Sequence, residues 1–468
     1  MLGNVRYTKR VKIFSKHFFL FISILILAFI LRFHNYAIFP IGGETADESA
    51  WAFLGSSIIQ EGQPTSWSYF KTYSDNNNIY KIREGEAPFV RPALDHPPLF
   101  ALIPGIAHAI KGSWENSPSL KVIRFPMVLL GTINVGLLFI LADKYFKKKK
   151  WVYLASLIYA TAPSFVFASR LVVAENLLIT WTILALILLR PERWKFRYVL
   201  LLLVGVLAVL TKVSGIVIPI TIFVYGLAIK DKKAIMAGVW GLIAGIILFA
   251  LWGAYFNWQL FIDVLVGQSG RDIGWSTLHN RFLLHPGIIE KIFFDGWIIF
   301  GLIASFISLY KNKKTFLALN TFIIFNLLFI LATSGENTYH GWYDYMLYPL
   351  FVIAMVDNLK RIFKKENYKI FGLLWILLLP LFRVAGFHGG WIIQIPSIVI
   401  RVVMALGFIP YGLTLIFPNL SKNKTNLLMW SLIGLLIITN VYVIAVFNQT
   451  SYWEMDSGFR LQWCADLI

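Results

Sequence analysis

Long apolar stretches recur along almost the whole chain. They run near 17–32, 121–142, 151–168, 171–189, 198–211, 213–229, 234–254, 296–310, 315–333, 345–357, 370–386, 396–417 and 427–447. A bilayer core takes ~20 helical residues, fewer where flanking side chains snorkel to the interface. The pattern therefore predicts 13 candidate spans, or roughly 11 to 14 once short stretches and shared tight turns are allowed for. Only 14% of the 468 residues are charged against 58% hydrophobic, too few charges to clothe a soluble surface of this size. Aromatic residues at 16% exclude a disordered chain, and the single cysteine, Cys464, excludes a disulfide scaffold. The predicted class is an all-α polytopic membrane protein.

The net charge of +19 has two readings, a polyanionic partner or an orientation signal. The first span follows a basic head, and no small-residue cleavage site follows it, so an uncleaved anchor is expected. With the N-terminus cytoplasmic, the inner segments are the head, 143–150, 190–197, 230–233, 311–314, 357–369 and 419–426. They hold 27 of the 43 Lys and Arg and five of the 24 acids, net +22, leaving −3 outside. That is the asymmetry of the positive-inside rule. The charge therefore orients helices, and nucleic acid is not an expected partner. The basic inner loops are short, and no G-x-x-x-x-G-K-[ST] loop or TVGYG filter occurs, which argues against an ATP-driven pump or a potassium channel.

The outer side carries the unusual chemistry. Residues 33–120 form one long loop, and loops of that length are usually functional or disordered. Asp47-Glu48-Ser49 opens an amphipathic helix ending at Gly62, and Pro97-Pro98 opens a second apolar stretch to about Ile110. Both are expected to lie in the outer interface with their apolar faces down. Further ionisable residues collect at 255–295, at 335–344, around Arg383 and His388, and in the tight turns holding Arg170, Glu175 and Lys212. Charges at membrane depth are costly and mark a polar cavity or a partner.

Several motifs then resemble one superfamily. Asp47-Glu48 after the first span resembles the acidic first-loop motif of GT-C glycosyltransferases. Arg91-Pro92-Ala93-Leu94-Asp95-His96-Pro97-Pro98-Leu99 resembles the HPPL segment of the protein O-mannosyltransferase and aminoarabinose-transferase branches. Arg124-Phe125-Pro126 through Gly131 is similar to the opening of their second span. Ser169-Arg170 with Glu175-Asn176, Leu210-Thr211-Lys212 and Tyr345-Met346-Leu347-Tyr348-Pro349-Leu350 follow in family order. The chain departs from the pattern at Asp344, where relatives often carry a basic residue, and in ending about 20 residues after its last span.

The resemblance implies a GT-C-like bundle over 1–447, with outer loops at 33–120 and 255–295 and a short outer tail, 448–468. It implies an inverting glycosyltransferase in the plasma (inner) membrane, its active site on the extracytoplasmic face. The donor would be a polyprenyl-phosphate-linked sugar, the acceptor a lipid, glycan or protein, and no nucleotide cofactor would be used.

Such chemistry needs a base for the acceptor proton and cations for the leaving phosphate. Asp47 is the expected base, with Glu48 second; the competing reading is helix-terminal capping. Arg91, Arg170 and Lys212 are the expected phosphate-binding cations, against interfacial snorkelling, and Lys212 has no acidic neighbour in its turn. Asp95 and His96 are candidates for a divalent metal, although no paired-Cys or H-E-x-x-H spacing supports zinc. Glu175, His340 and Tyr345 are candidates for touching substrate. The alternatives are a transporter or flippase of lipid-linked sugars and a non-catalytic envelope partner. The charges cluster at the outer edge rather than mid-span, and no internal repeat is evident, which disfavours a transporter.

Overall fold

The computed structural model describes residues 4–42, 45, 47–81, 88–190, 196–270, 293, 295–311, 314–333, 341–385, 387–388, 391–392, 397–417, 419 and 421–447. The described chain is overwhelmingly helical. In order, the first helices are α1 (Asn4–Phe33), α2 (Asp47–Glu61), α3 (Lys71–Asp75), α4 (Leu102–Ala109), α5 (Leu120–Tyr145), α6 (Lys149–Thr161) and α7 (Pro163–Ala168). There follow α8 (Glu175–Leu189), α9 (Arg197–Thr211), α10 (Val217–Ile229), α11 (Lys232–Phe256) and α12 (Trp258–Ser269). The last part holds α13 (Trp297–Lys311), α14 (Leu317–Thr333), α15 (Tyr348–Lys365), α16 (Tyr368–Ile376), α17 (Leu379–Val384), α18 (Ser397–Leu406), α19 (Ile409–Ile416) and α20 (Lys422–Val446). A turn of 3₁₀ helix, Gly341–Leu347, leads into α15.

Four helical segments are long and apolar enough to cross a bilayer unaided: Leu120–Tyr145, Lys232–Phe256, Lys314–Ala332 and Lys422–Val446. Five apolar helices are shorter, and α18 with α19 would make a further span bent by 60°. Proline accounts for several breaks in the expected spans. The 151–168 stretch divides at Pro163, 370–386 divides before Pro380, and 396–417 bends before Pro410, each proline sitting in the first turn of a new helix. A proline there gives up no helical hydrogen bond, and before Pro163 the backbone of Ala162 turns extended, φ −61° and ψ 123°. The 345–357 stretch instead becomes the 3₁₀ turn and the start of α15.

The basic turns gather at one end. Arg190 stacks over Tyr145 at 3.9 Å and donates to the Thr315 carbonyl at 2.7 Å, while Arg197 pairs with Asp231 at 3.2 Å. The α5, α8–α9, α10–α11 and α14 boundaries are thereby joined. Asp231 also caps α11 by accepting from the Lys233 and Ala234 amides, with Lys230 before it in left-handed backbone.

The long first loop folds into structure that sequence periodicity did not reveal. Two-residue β1 (Ser66–Trp67) and β3 (Phe89–Val90), with β2 (Ile79–Lys81), form a small antiparallel sheet in the order β1-β3-β2; β4 (Phe387–His388) and β5 (Trp391–Ile392) form a separate hairpin. Such short strands carry too few residues for an alternating pattern to show. Of the two expected interfacial helices, α4 keeps Ile106 exposed, while α2 sits among protein. Every residue from Trp51 to Ser57 is buried, so α2 is enclosed around its circumference rather than floating with one face down. It crosses α4 where Gly55 meets Gly105: a Cβ built at Gly55 would lie 1.9 Å from the Ala101 carbonyl oxygen. Trp51, Leu54, Tyr73 and Phe100 of this loop share a core with Ile123, Met127, Phe249 and Phe261. The loop is thus fixed against α5, α11 and α12.

Candidate active site

Three chain ends converge above this core. The first is the start of α2, where the Thr45 hydroxyl accepts from the Asp47 amide at 3.2 Å. Thr45 takes the local capping role that Asp47 was expected to compete for. The half-buried Asp47 carboxylate has no hydrogen bond or ion pair among the described residues. The second is the turn after α9, which presents Lys212. The third is the start of α8, which presents the buried Glu175. Lys212 Nζ lies 2.6 Å from Glu175 Oε1 and 5.3 Å from the centre of the Tyr343 ring. Lys212 therefore does have an acidic neighbour, supplied by a helix 37 residues away in sequence. Burial opposes its charge, but Glu175, Tyr343 and Asp47 outweigh that and hold its ammonium above the ordinary lysine range. The charge of Asp47 is felt at Asp95 and Glu175 as well. Asp47, Asp95, Glu175 and Lys212 thus form one electrostatic group.

Asp95 reaches this group through the Asp95-His96-Pro97-Pro98 segment, which is tied to the end of α9 by a Leu99 N–H to Leu210 carbonyl bond of 3.2 Å. Burial pushes its carboxyl up to about 6, against the opposing hydrogen bonds of Tyr73 and Ser68 and with help from the charge of Asp47. Ser68 donates to one oxygen at 2.8 Å and the Tyr73 hydroxyl to the other. His96 stacks on Trp51 at 4.8 Å. Both Asp95 oxygens are committed to hydroxyl donors, and no group of three or more His, Cys, Asp or Glu among the described residues could hold a metal. Asp95 and His96 are thus adjacent residues with separate partners, the hydroxyls of Ser68 and Tyr73 for one and the Trp51 ring for the other.

The geometry separates the other expected residues. Glu48, second choice as base, is buried and receives Arg124 at both oxygens, 2.7 and 2.6 Å, and the Val172 amide at 3.0 Å. Neighbours along a helix point about 100° apart, so Glu48 is buried against Arg124 while Asp47 stays half-buried on another side. Arg91 pairs with Glu61 at 2.6 Å and lies over the Tyr80 ring at 4.1 Å. Glu61 closes the 15-residue α2, about 20 Å along the helix from Asp47. Arg170 is buried and donates to the Phe39 and Leu31 carbonyls at 2.9 and 2.7 Å. Neither arginine joins the Asp47 group among the described residues: Arg91 ties parts of the first loop to one another, and Arg170 holds the end of α1 and the start of the loop to the bundle. Tyr345 is buried with its ring centre 5.1 Å from that of Tyr348, two residues on from the Tyr343 that meets Lys212. His340 lies outside the described residues.

Two contributors were not identified from sequence. Arg124 was legible as part of the resemblance but not as the partner of Glu48, since 76 residues separate them. Tyr343 belonged to an aromatic set indistinguishable from an interfacial belt.

Comparison with solved structures places the arrangement. ArnT from Cupriavidus metallidurans in the apo state superposes with a TM-score of 0.58 at 12% identity, over 94% of this chain and 78% of that one. The chain has the GT-C fold. The same ArnT bound to undecaprenyl phosphate gives a TM-score of 0.54 at 13% identity, covering 91% of this chain and 76% of that one. An Archaeoglobus fulgidus oligosaccharyltransferase tethered to an acceptor peptide gives 0.50 at 13% identity, over 92% of this chain and 55% of that one. A family profile described as dolichyl-phosphate-mannose-protein mannosyltransferase matches residues 95–258, which include Asp95, Arg124, Glu175 and Lys212. No curated protein sequence matches it.

Proposed function

We propose that the protein is an integral-membrane inverting glycosyltransferase that moves a sugar from a polyprenyl-phosphate donor to an acceptor on the extracytoplasmic face. The observation that carries this reading is the Asp47 carboxylate, which makes no hydrogen bond or ion pair with another described side chain and whose charge acts on the adjacent Glu175–Lys212 pair. Two GT-C structures support it: one neighbour binds undecaprenyl phosphate and another an acceptor peptide.

In the proposed step Asp47 takes the proton of the acceptor hydroxyl or amide as that atom attacks the anomeric carbon. The carbon–oxygen bond to phosphate breaks with its electron pair leaving on the phosphate, and the configuration inverts. Lys212 is positioned to meet that developing charge as a point cation on a short, buried tether. Glu175 keeps the lysine charged and aimed, and Tyr343 covers it. Glu48 is assigned a positioning role, pinning the first turn of α2 to Arg124 so that Asp47 keeps its place. Arg91 and Arg170 are not assigned to the phosphate.

With the N-terminus inside, the Asp47 end of the bundle faces outward and the gathered basic turns face the cytoplasm, as the positive-inside rule requires. We assign 1–447 to one membrane domain, with 448–468 as an outer tail.

The direct test is transfer by purified protein from radiolabelled polyprenyl-phosphate sugars to membrane acceptors. Asp47→Asn should lower transfer by about 10²–10⁴-fold while leaving the thermal midpoint unchanged. Unchanged transfer in that variant would remove Asp47 from the mechanism. Uptake without a covalent product would replace the enzyme by a flippase.

A further inference from the structure

At the end of the molecule away from the Asp47 group, a cavity of about 370 Å³ opens between α15, α16, α19 and α20. Lys365, Lys369 and Lys422 line it against a single acid, Glu366, which pairs with Lys422. Tyr368, Tyr411, Asn367, Thr414 and Thr425 complete its wall. α15 runs from the Tyr343 region to this cavity over 18 residues, about 27 Å, so the two sites lie near opposite ends of the bundle.

The chemistry of the lining selects an anion. Two helices begin at the cavity, α16 with Asn367 as its cap and α20 with Lys422 in its first turn, and both direct their positive ends toward it. The Thr425 hydroxyl is buried on the wall next to the Tyr368 hydroxyl. Lys369 Nζ rests 5.2 Å from the centre of the Tyr411 ring. The surrounding surface selects a lipid over a soluble anion. Leu415, Ile416 and Leu427, on α19 and α20 next to the lining residues, are 62%, 70% and 68% exposed, an apolar wall suited to acyl chains.

We propose that this cavity is a headgroup site for an anionic phospholipid, with the phosphate held by Lys365, Lys369 and Lys422 and the tails against α19 and α20. Basic pockets between helices at the membrane surface bind such headgroups through this combination of charge and exposed apolar flank. The site is separate from the proposed donor site and does not depend on the transferase reading.

Native mass spectrometry of the detergent-purified full chain tests it, with phosphatidylglycerol and phosphatidylcholine added at equal concentration. Phosphatidylglycerol adducts should dominate, and each lysine changed to glutamine should reduce them by about fivefold. The triple variant Lys365→Gln/Lys369→Gln/Lys422→Gln should lose the preference, while Lys230→Gln/Lys232→Gln, in a basic turn away from the cavity, should keep it. Should the triple variant fail to fold, Lys369→Gln alone must still weaken the adduct. Equal binding of both lipids, or full retention in the variants, would overturn the proposal. Complete displacement of phosphatidylglycerol by millimolar inorganic phosphate would overturn it in favour of a small-anion site.

Discussion

Adjacent carboxylates at 47 and 48 have opposite fates, and the difference is one of partners. Glu48 lies in a buried region holding Arg32, Arg124 and Arg170, and it bonds Arg124 bidentately. Removing one partner of such a pair leaves an uncompensated charge and costs about 3–5 kcal/mol. Glu48→Ala should therefore lower the unfolding midpoint in detergent sharply, in contrast to the stability-neutral Asp47→Asn. Lys212→Gln should weaken retention of undecaprenyl phosphate as well as transfer, which an equilibrium binding assay would separate. Asp95 gives a pH signature. Its carboxyl rises from its usual 3.8 to about 6 on folding, so the folded state binds the extra proton. Its contribution to stability is present below about pH 4 and is lost as pH rises through about 6. Asp95→Asn should flatten the stability–pH curve in that window; an unchanged slope would assign it to another group. The acids and Lys212 could be singled out from sequence because few ionisable residues lie beside apolar runs. Which carboxylate is free could not, because the partners of Glu48 and Glu175 come from distant segments.

At the scale of elements, helices were legible wherever an apolar run had a clear start and stop. The expected helix from Asp47 to Gly62 is α2, which ends at Glu61 with Gly62 in left-handed backbone, φ +67°. The stretch after Pro97-Pro98 is α4, capped at Ile110. Their placement was not legible, since an amphipathic pattern does not say whether lipid or protein covers the apolar face. For α2 the crossing at Gly55 and Gly105 decides it in favour of protein, while α4 leaves Ile106 exposed on its other side. Gly105→Val would drive side-chain atoms into the Gly55 backbone, where even a Cβ lies 2.4 Å from the Gly55 carbonyl carbon. Overpacking of this kind costs typically 1–3 kcal/mol. We expect a lowered melting temperature and increased proteolysis of the first loop, with Gly434→Ala on α20, where a Cβ meets nothing within 4 Å, as the comparison.

At the scale of the whole molecule, the proposed orientation makes a labelling prediction. In intact cells carrying a Cys464→Ser background, Ser113→Cys in the first loop should react with a membrane-impermeant maleimide. Lys148→Cys in the basic turn should react only after permeabilisation. The reverse pattern would invert the proposed topology and remove the extracytoplasmic site. The joining of Arg190 to Tyr145 and Thr315, and of Arg197 to Asp231, shows that the basic turns share one end.

The sequence by itself determined the medium and the helical class. Hydropathy and charge distribution are sums over local composition, and a membrane reads them directly. The ordered motifs were enough to indicate the GT-C fold. Only the tertiary structure decided which ionisable groups meet: Glu48 with Arg124, Glu175 with Lys212, Arg91 with Glu61 about 20 Å from the candidate base. Ion pairs form over a few ångströms regardless of distance along the chain, so their partners are fixed by packing. The Asp47 carboxylate, unpaired among the described residues, is what that packing leaves over.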